Sequence, residues 1–128
     1  MSACIFCRIA DGQAPADRIV EDERTLAFLD LHPAGEGHTL VIPKAHAQDV
    51  WDVGPEGWEA VWRTSHRVAA ALRSAFDPDG LYVRQANGPL GGQEVMHLHV
   101  HLIPRYAAGR APLLRGPAEV AERLRDAL

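Results

Sequence analysis

Three histidines stand at alternate positions, His97, His99 and His101, in a chain with seven histidines in all. If residues 95–103 form a strand ended by Pro104, the three imidazoles project to one side while Leu98, Val100 and Leu102 enter the core. The plainest use of such a row is a solvated polar face, although that is normally built from Lys, Glu and Thr. A second use is a three-histidine metal site, which strains the geometry because all three ligands come from one flat strand. A third divides the labour, with one ring on a metal and another acting as a nucleophile. Imidazole is neutral near pH 7, nucleophilic at nitrogen, and forms a phosphorus adduct that water can hydrolyse. The loop Asn87-Gly88-Pro89-Leu90-Gly91-Gly92-Gln93 favours the third use. Its backbone N–H groups suit an anion and stand directly before the histidines.

The only two cysteines are Cys4 and Cys7. A two-residue gap supplies half of a tetrahedral zinc site, and histidine must complete it; His46 and His97 are the candidates. A redox dithiol is the rival, without the usual aromatic-Cys-Gly-Pro-Cys context, and two buried structural thiols are the simplest alternative. Zinc with two thiolates and four protein ligands would be closed, hence structural rather than catalytic.

The 128 residues suit one domain, 47% hydrophobic and 23% charged. Thirteen Lys and Arg against seventeen Asp and Glu leave a net charge of −4, which argues against a broad grip on nucleic acid but not against a single nucleotide. No apolar run approaches the roughly 20 residues of a membrane span. Nor does the N-terminus have the basic and apolar segments of a secretory signal, so a cytoplasmic protein is expected.

The elements that must hold these residues follow from pattern. Ile5, Phe6 and Ile9 suggest a short helical turn ended by Asp11-Gly12. Residues 18–21 and 25–29 read as a β-hairpin and 38–42 as a buried strand stopped by Pro43. Residues 56–76 make a long helix, with Pro55 suited to its first turn. Its stripe of Trp58, Val61, Trp62, Ser65, Val68, Ala69, Leu72 and Phe76 covers the sheet, or in part packs on another subunit. Residues 81–86 read as a strand and 117–127 as a terminal helix. The expectation is an α+β fold with a mainly antiparallel five-stranded sheet, one long helix and short terminal helices. It would be a single domain over 1–128, with its core at about 4–106 and a tail at 107–128.

Gly92-Gln93-Glu94-Val95-Met96-His97-Leu98-His99-Val100-His101-Leu102-Ile103-Pro104-Arg105 resembles the signature of the histidine-triad (HIT) family. The resemblance extends to Cys4-Ile5-Phe6-Cys7-Arg8-Ile9, to Ala27-Phe28-Leu29-Asp30, and to Gly37-His38-Thr39-Leu40-Val41-Ile42-Pro43-Lys44-Ala45-His46. It is nearest to the short Hint-like bacterial branch. The resemblance implies a homodimeric α+β fold that binds purine nucleotides, such as an AMP or GMP conjugate, and cleaves at the α-phosphate. His99 would form a nucleotidyl-imidazole intermediate, its ring oriented by a backbone carbonyl near the first triad position. His101 and His38 would surround the phosphate, with Asn87, Gln93 and the Gly91-Gly92 backbone nearby. Asp30 would bind the ribose hydroxyls, and Phe6, Ile9, Phe28 and Leu31 would wall the base pocket. Structural zinc would sit on Cys4, Cys7, His46 and His97, and no catalytic metal is required.

Two positions depart from the pattern. Glu94 stands where eukaryotic Hint-type members have a serine, and a carboxylate there repels phosphate unless it points away. His32 stands where small polar residues are usual, and reads as a loop histidine or one that approaches the sugar. The expected activity is hydrolysis of nucleoside phosphoramidates. The alternatives are hydrolysis of diadenosine polyphosphates, through the same intermediate, and a nucleotide-binding interaction module whose turnover is incidental.

Overall fold

The computed structural model describes residues 3–110 and 116–128. Of the tail expected at 107–128, residues 111–115 lie outside the described residues. The elements run α1 (Ile5–Ala10), β1 (Arg18–Glu21), β2 (Thr25–Leu29), β3 (Thr39–Pro43), α2 (Val50–Phe76), β4 (Gly80–Gln85), a 3-10 turn (Pro89–Gly91), β5 (Val100–Arg105) and α3 (Pro117–Asp126). The strands form one sheet in the order β1-β2-β3-β5-β4, every neighbouring pair antiparallel.

Local chemistry accounts for most boundaries. Asp22 closes the first hairpin, its Oδ1 accepting from the Arg24 and Thr25 N–H groups at 2.9 and 2.8 Å. Cys4 caps α1, its sulfur accepting from the Cys7 N–H, so both sulfurs lie at one helix start. The long helix begins earlier than the sequence predicts. Asp49 caps an extra turn from Val50, and Gly54 then breaks helical geometry with φ 76°. Only glycine takes that angle without cost, and Pro55 follows it at the start of the long regular segment.

The sheet has two differently covered faces. On one, α2 and α3 bury Ala27, Leu29, Val41, Val100 and Leu102 against Val61, Val68, Leu72 and Leu124. On the other, α1 lays Phe6 and Ile9 over Leu26, Phe28, Leu40 and Ile42. That second cover reaches only across the β2–β3 half, so the β5–β4 half of the face stays open.

The strand expected over 95–103 is displaced. β5 begins at Val100 and runs through Pro104 to Arg105. Upstream of Val100 the ladder stops, because Val41↔Val100 is the last pair with β3, and the Leu98 N–H donates instead to the Ala47 carbonyl at 2.7 Å. Downstream, β5 has only β4 as neighbour beyond Leu102, so Pro104 costs no hydrogen bond on the β3 side. Alternation survives outside the ladder: Leu98 joins Val100 and Leu102 in the helix-side core, while the Phe6 ring meets His97 and His99 on the opposite face. Pro43 likewise closes β3 as its last residue rather than lying beyond it.

Candidate functional site

The histidines are held by hydrogen bonds that fix which nitrogen carries the proton. The Nδ1–H of His99 donates to its neighbour's carbonyl, His97 O, at 2.7 Å, leaving Nε2 with a free lone pair. The Ala34 N–H can only donate, and it lies 3.0 Å from His38 Nδ1, so the proton of that neutral ring is on Nε2. From there His38 donates to His101 Nδ1 at 3.0 Å, which leaves His101 an Nε2–H. One ring thus offers a lone pair and the next a donor, their centroids 4.8 Å apart.

Burial lowers all three rings, and for His101 alone the neighbouring histidines add to it. His101 is pushed down to about 4 by its burial, then by the neighbouring His99 and His38 and by Arg84. His99 is lowered mainly by burial, against the opposing bond to the His97 carbonyl, and Arg84 acts on it more strongly than Glu94 does. His38 is lowered by burial, partly offset by Asp30.

His99 and His101 open on a cavity of about 400 Å³ whose lining also includes Phe6, Ile9, Phe28, Asp30 and Leu31, whereas His38 stands behind His101 and outside that lining. Phe6 packs edge-on against Phe28 and His99, so the apolar wall and the reactive ring share a contact. Asp30 accepts the His32 N–H on Oδ1 at 2.8 Å, with Oδ2 3.5 Å from His38 Nε2. Its remaining lone pairs suit a vicinal diol. His32, Arg84 and Glu94 also line the cavity.

The 87–93 loop, expected beside the phosphate, is held by its own hydrogen bonds. Asn87, Gly91, Gly92 and Gln93 are not part of that lining. Asn87 accepts the Val50 N–H at 2.8 Å and pairs with Gln85. The buried Gln93 amide spans the Gln48 and Val95 carbonyls, while its oxygen accepts the Gly88 N–H at 2.7 Å. Both side chains brace the loop against α2 and the segment before β5. Arg84 is the site residue that sequence reasoning missed. It is legible only once Arg84↔His101 is known as a register pair.

A second cluster lies beside the first. Cys4 and Cys7 Sγ stand 3.4 and 3.5 Å from His97 Nδ1, and His46 Nδ1 is 3.3 Å from Cys7 Sγ and 3.2 Å from His97 Nδ1. Tetrahedral zinc bonds imply ligand separations of about 3.3–3.8 Å, so the donor set fits zinc. His97 is fully buried, and its Nε2–H donates to the Pro43 carbonyl at 2.8 Å, which turns the Nδ1 lone pair towards the sulfurs. Asp30, His38 and His101 also converge, with ligand atoms within 4.8 Å. There the Ala34 N–H keeps the His38 Nε2 protonated, so that group offers a donor where a metal needs a lone pair.

Residues 11–108 match the family model described as the HIT domain. Protein hit of Bacillus subtilis (strain 168) is 43% identical over 106 residues, 83% of this chain and 73% of that protein. Adenosine 5'-monophosphoramidase HNT1 of Saccharomyces cerevisiae is 36% identical over 118 residues, 92% of this chain and 72% of that protein. The crystal structure of a Zn-bound histidine triad family protein from Mycobacterium smegmatis superposes with a TM-score of 0.87 at 39% identity, covering 98% of this chain and 92% of that one.

Proposed function

The chain belongs to the HIT domain family, and from that premise we propose that it hydrolyses nucleoside phosphoramidates, conjugates of a purine nucleoside monophosphate with an amine. The observation that carries the reading is the His99 ring, with Nδ1–H tied to the His97 carbonyl and Nε2 bare beside an apolar pocket and a carboxylate. The yeast relative is named for phosphoramidase activity, which supports the same chemistry here.

The base lies between Phe6, Ile9, Phe28 and Leu31, and the ribose hydroxyls donate to Asp30. His99 Nε2 attacks the α-phosphorus; the N–P bond forms as the bond to the leaving nitrogen breaks, and the leaving nitrogen keeps the electron pair and takes a proton from solvent. The His101 Nε2–H stabilises a nonbridging oxygen. The phosphorylated ring is cationic, and the His97 carbonyl offsets that charge through Nδ1–H. Water then attacks phosphorus, the pair returns to Nε2 and a proton goes to solvent, releasing the nucleoside monophosphate. No step requires a metal.

Cys4, Cys7, His46 and His97 would hold zinc as a structural ion, tying α1 to the segment before β5. Two thiols kept as ligands suit a reducing compartment such as the cytoplasm. The open edge of β4, with Tyr82 45% and Val83 40% exposed, supports a homodimer.

Incubation of adenosine 5'-phosphoramidate with the wild type and His99→Ala tests the activity. The expected result is AMP release by the wild type, a loss of at least about a thousandfold in the variant, and an acid-labile adenylyl adduct on His99 after quenching. Nucleotide binding without adduct or product would favour the interaction module. Equal turnover by both proteins would end the nucleophile assignment.

A further inference from the structure

A second cavity, of about 340 Å³, shares a wall with the first, because Leu29, Asp30 and Leu31 line both. The chemistry proposed above does not use it. Its volume is in the range of small-molecule sites, roughly 300–1,000 Å³. The rest of its lining comes from Asp17, the loop 33–38 and the start of α3.

The two cavities differ in charge. In the first, Arg84 stands with Asp30 and Glu94. The second has three carboxylates, Asp17, Asp30 and Glu36, and among the described residues no Lys or Arg in its lining. Asp17 forms no ion pair with a described residue. The start of α3 is the positive end of a helix, but Pro117 removes one N–H there and Glu119 in the first turn opposes the rest. Leu31, Pro33 and Val120 supply an apolar wall. Carboxylates beside apolar surface, with no cation of their own, match a ligand that carries a cation on an apolar body.

The loop on this cavity is also the one that sets the proton on His38. The Ala34 N–H donates to His38 Nδ1, the His38 N–H donates to the Gly35 carbonyl, and Ala34, Gly35 and His38 all line the cavity. Behind the loop there is no slack. A Cβ on Gly35 would stand 2.5 Å from the Pro104 carbonyl oxygen, and one on Gly37 would stand 2.8 Å from Leu72. The loop can give way only towards the cavity, and a molecule that fills the cavity closes off that movement.

We propose that this cavity binds a small organic ammonium ion, its apolar body on Leu31, Pro33 and Val120 and its charge beside Asp17 and Glu36. The bound ion braces the loop that keeps the His38 proton on Nε2. This site stands whether or not His99 is a nucleophile.

Titration of isotope-labelled wild type with 2-phenylethylammonium, followed by amide NMR, tests it. Saturable shifts are expected at residues that line this cavity and not the first, Asp17, Ala34, Gly35 and Val120, with a Kd of about 1 mM or tighter. Hydrogen exchange at the Ala34 N–H should slow severalfold when the site is full. 2-Phenylethanol and 3-phenylpropanoate, similar in size but without the positive charge, should bind at least about tenfold more weakly. Asp17→Asn should weaken the ammonium ion about tenfold, and Asp17→Lys should abolish its binding, with the thermal midpoint reporting the fold of each variant. Shifts confined to Phe6, Ile9, Phe28 and His99 would place the ammonium ion in the first cavity and overturn the proposal. Equal binding of the alcohol and the ammonium ion overturns it too, as does a wild type with no saturable shift up to about 10 mM. Binding as expected with unchanged exchange at Ala34 keeps the site and overturns the brace.

Discussion

The proposed mechanism needs His99 bare at Nε2 while His101 carries a proton there, and two backbone groups impose this pattern: the His97 carbonyl and the Ala34 N–H. Burial holds His101 at about 4, so that ring is neutral well below the usual imidazole value, and burial shifts His38 in the same direction. Turnover of adenosine 5'-phosphoramidate should therefore stay level between pH 7 and 6, with its acid limb closer to pH 5 than to 6.5. The linked stability has a definite sign. The folded state resists protonation, so the contribution of these rings is complete above the unfolded value of about 6.5 and is lost as pH falls from there towards 4. Thermal midpoints measured from pH 7.5 to 4.5 check this, and a midpoint that rose on acidification through 6 would contradict it. The shared face of His97, His99 and His101 was legible because alternation survives even where the ladder does not. Arg84 was not legible, since nothing local in Tyr82-Val83-Arg84-Gln85 says which residue of another strand it will face.

At the scale of elements, the Cys-x-x-Cys turn and the base wall are one object. Cys4 and Cys7 begin the same six-residue helix that carries Phe6 and Ile9, and a helix this short has little stability of its own. Metal bound by the cysteines, His46 and His97 would hold that helix over Phe28 and Leu40. Chelation or Cys7→Ser is expected to remove about one zinc per chain by elemental analysis. It should lower the thermal midpoint by about 10 °C, roughly 3 kcal/mol at this size, and raise KM for the phosphoramidate more than it lowers kcat, because the wall moves while His99 keeps its carbonyl. Metal-free wild type with an unchanged midpoint would sink the assignment. The hairpin was readable to the residue because Asp22 and its turn are local. The start of α2 was not, because a glycine-proline pair normally marks a boundary, and here a capped turn precedes it. The braces made by Asn87 and Gln93 were equally hidden, as an amide in a glycine loop reads the same whether it faces a ligand or a helix start.

For the whole molecule, the decisive feature is an asymmetry between the edges of the sheet. β1 is backed by α3, whose Arg125 donates to the Arg18 carbonyl at 2.6 Å, whereas β4 ends the sheet with exposed Tyr82 and Val83. An edge strand with exposed apolar side chains and no Pro invites a second strand, and in a homo-oligomer the self-complementary solution is an antiparallel pair across a two-fold axis. The sequence offered a subunit contact only as a second reading of part of the aromatic stripe of α2, of which Trp62 is exposed. It could not reveal the edge, because strand order is a property of the folded sheet. Sedimentation should find the wild type at twice the 14.0 kDa chain mass. Val83→Lys, which sets like charges against each other across the axis, should move the equilibrium towards monomer by at least about tenfold while zinc content is retained. A wild type that sediments as a monomer at micromolar concentration would remove the dimer.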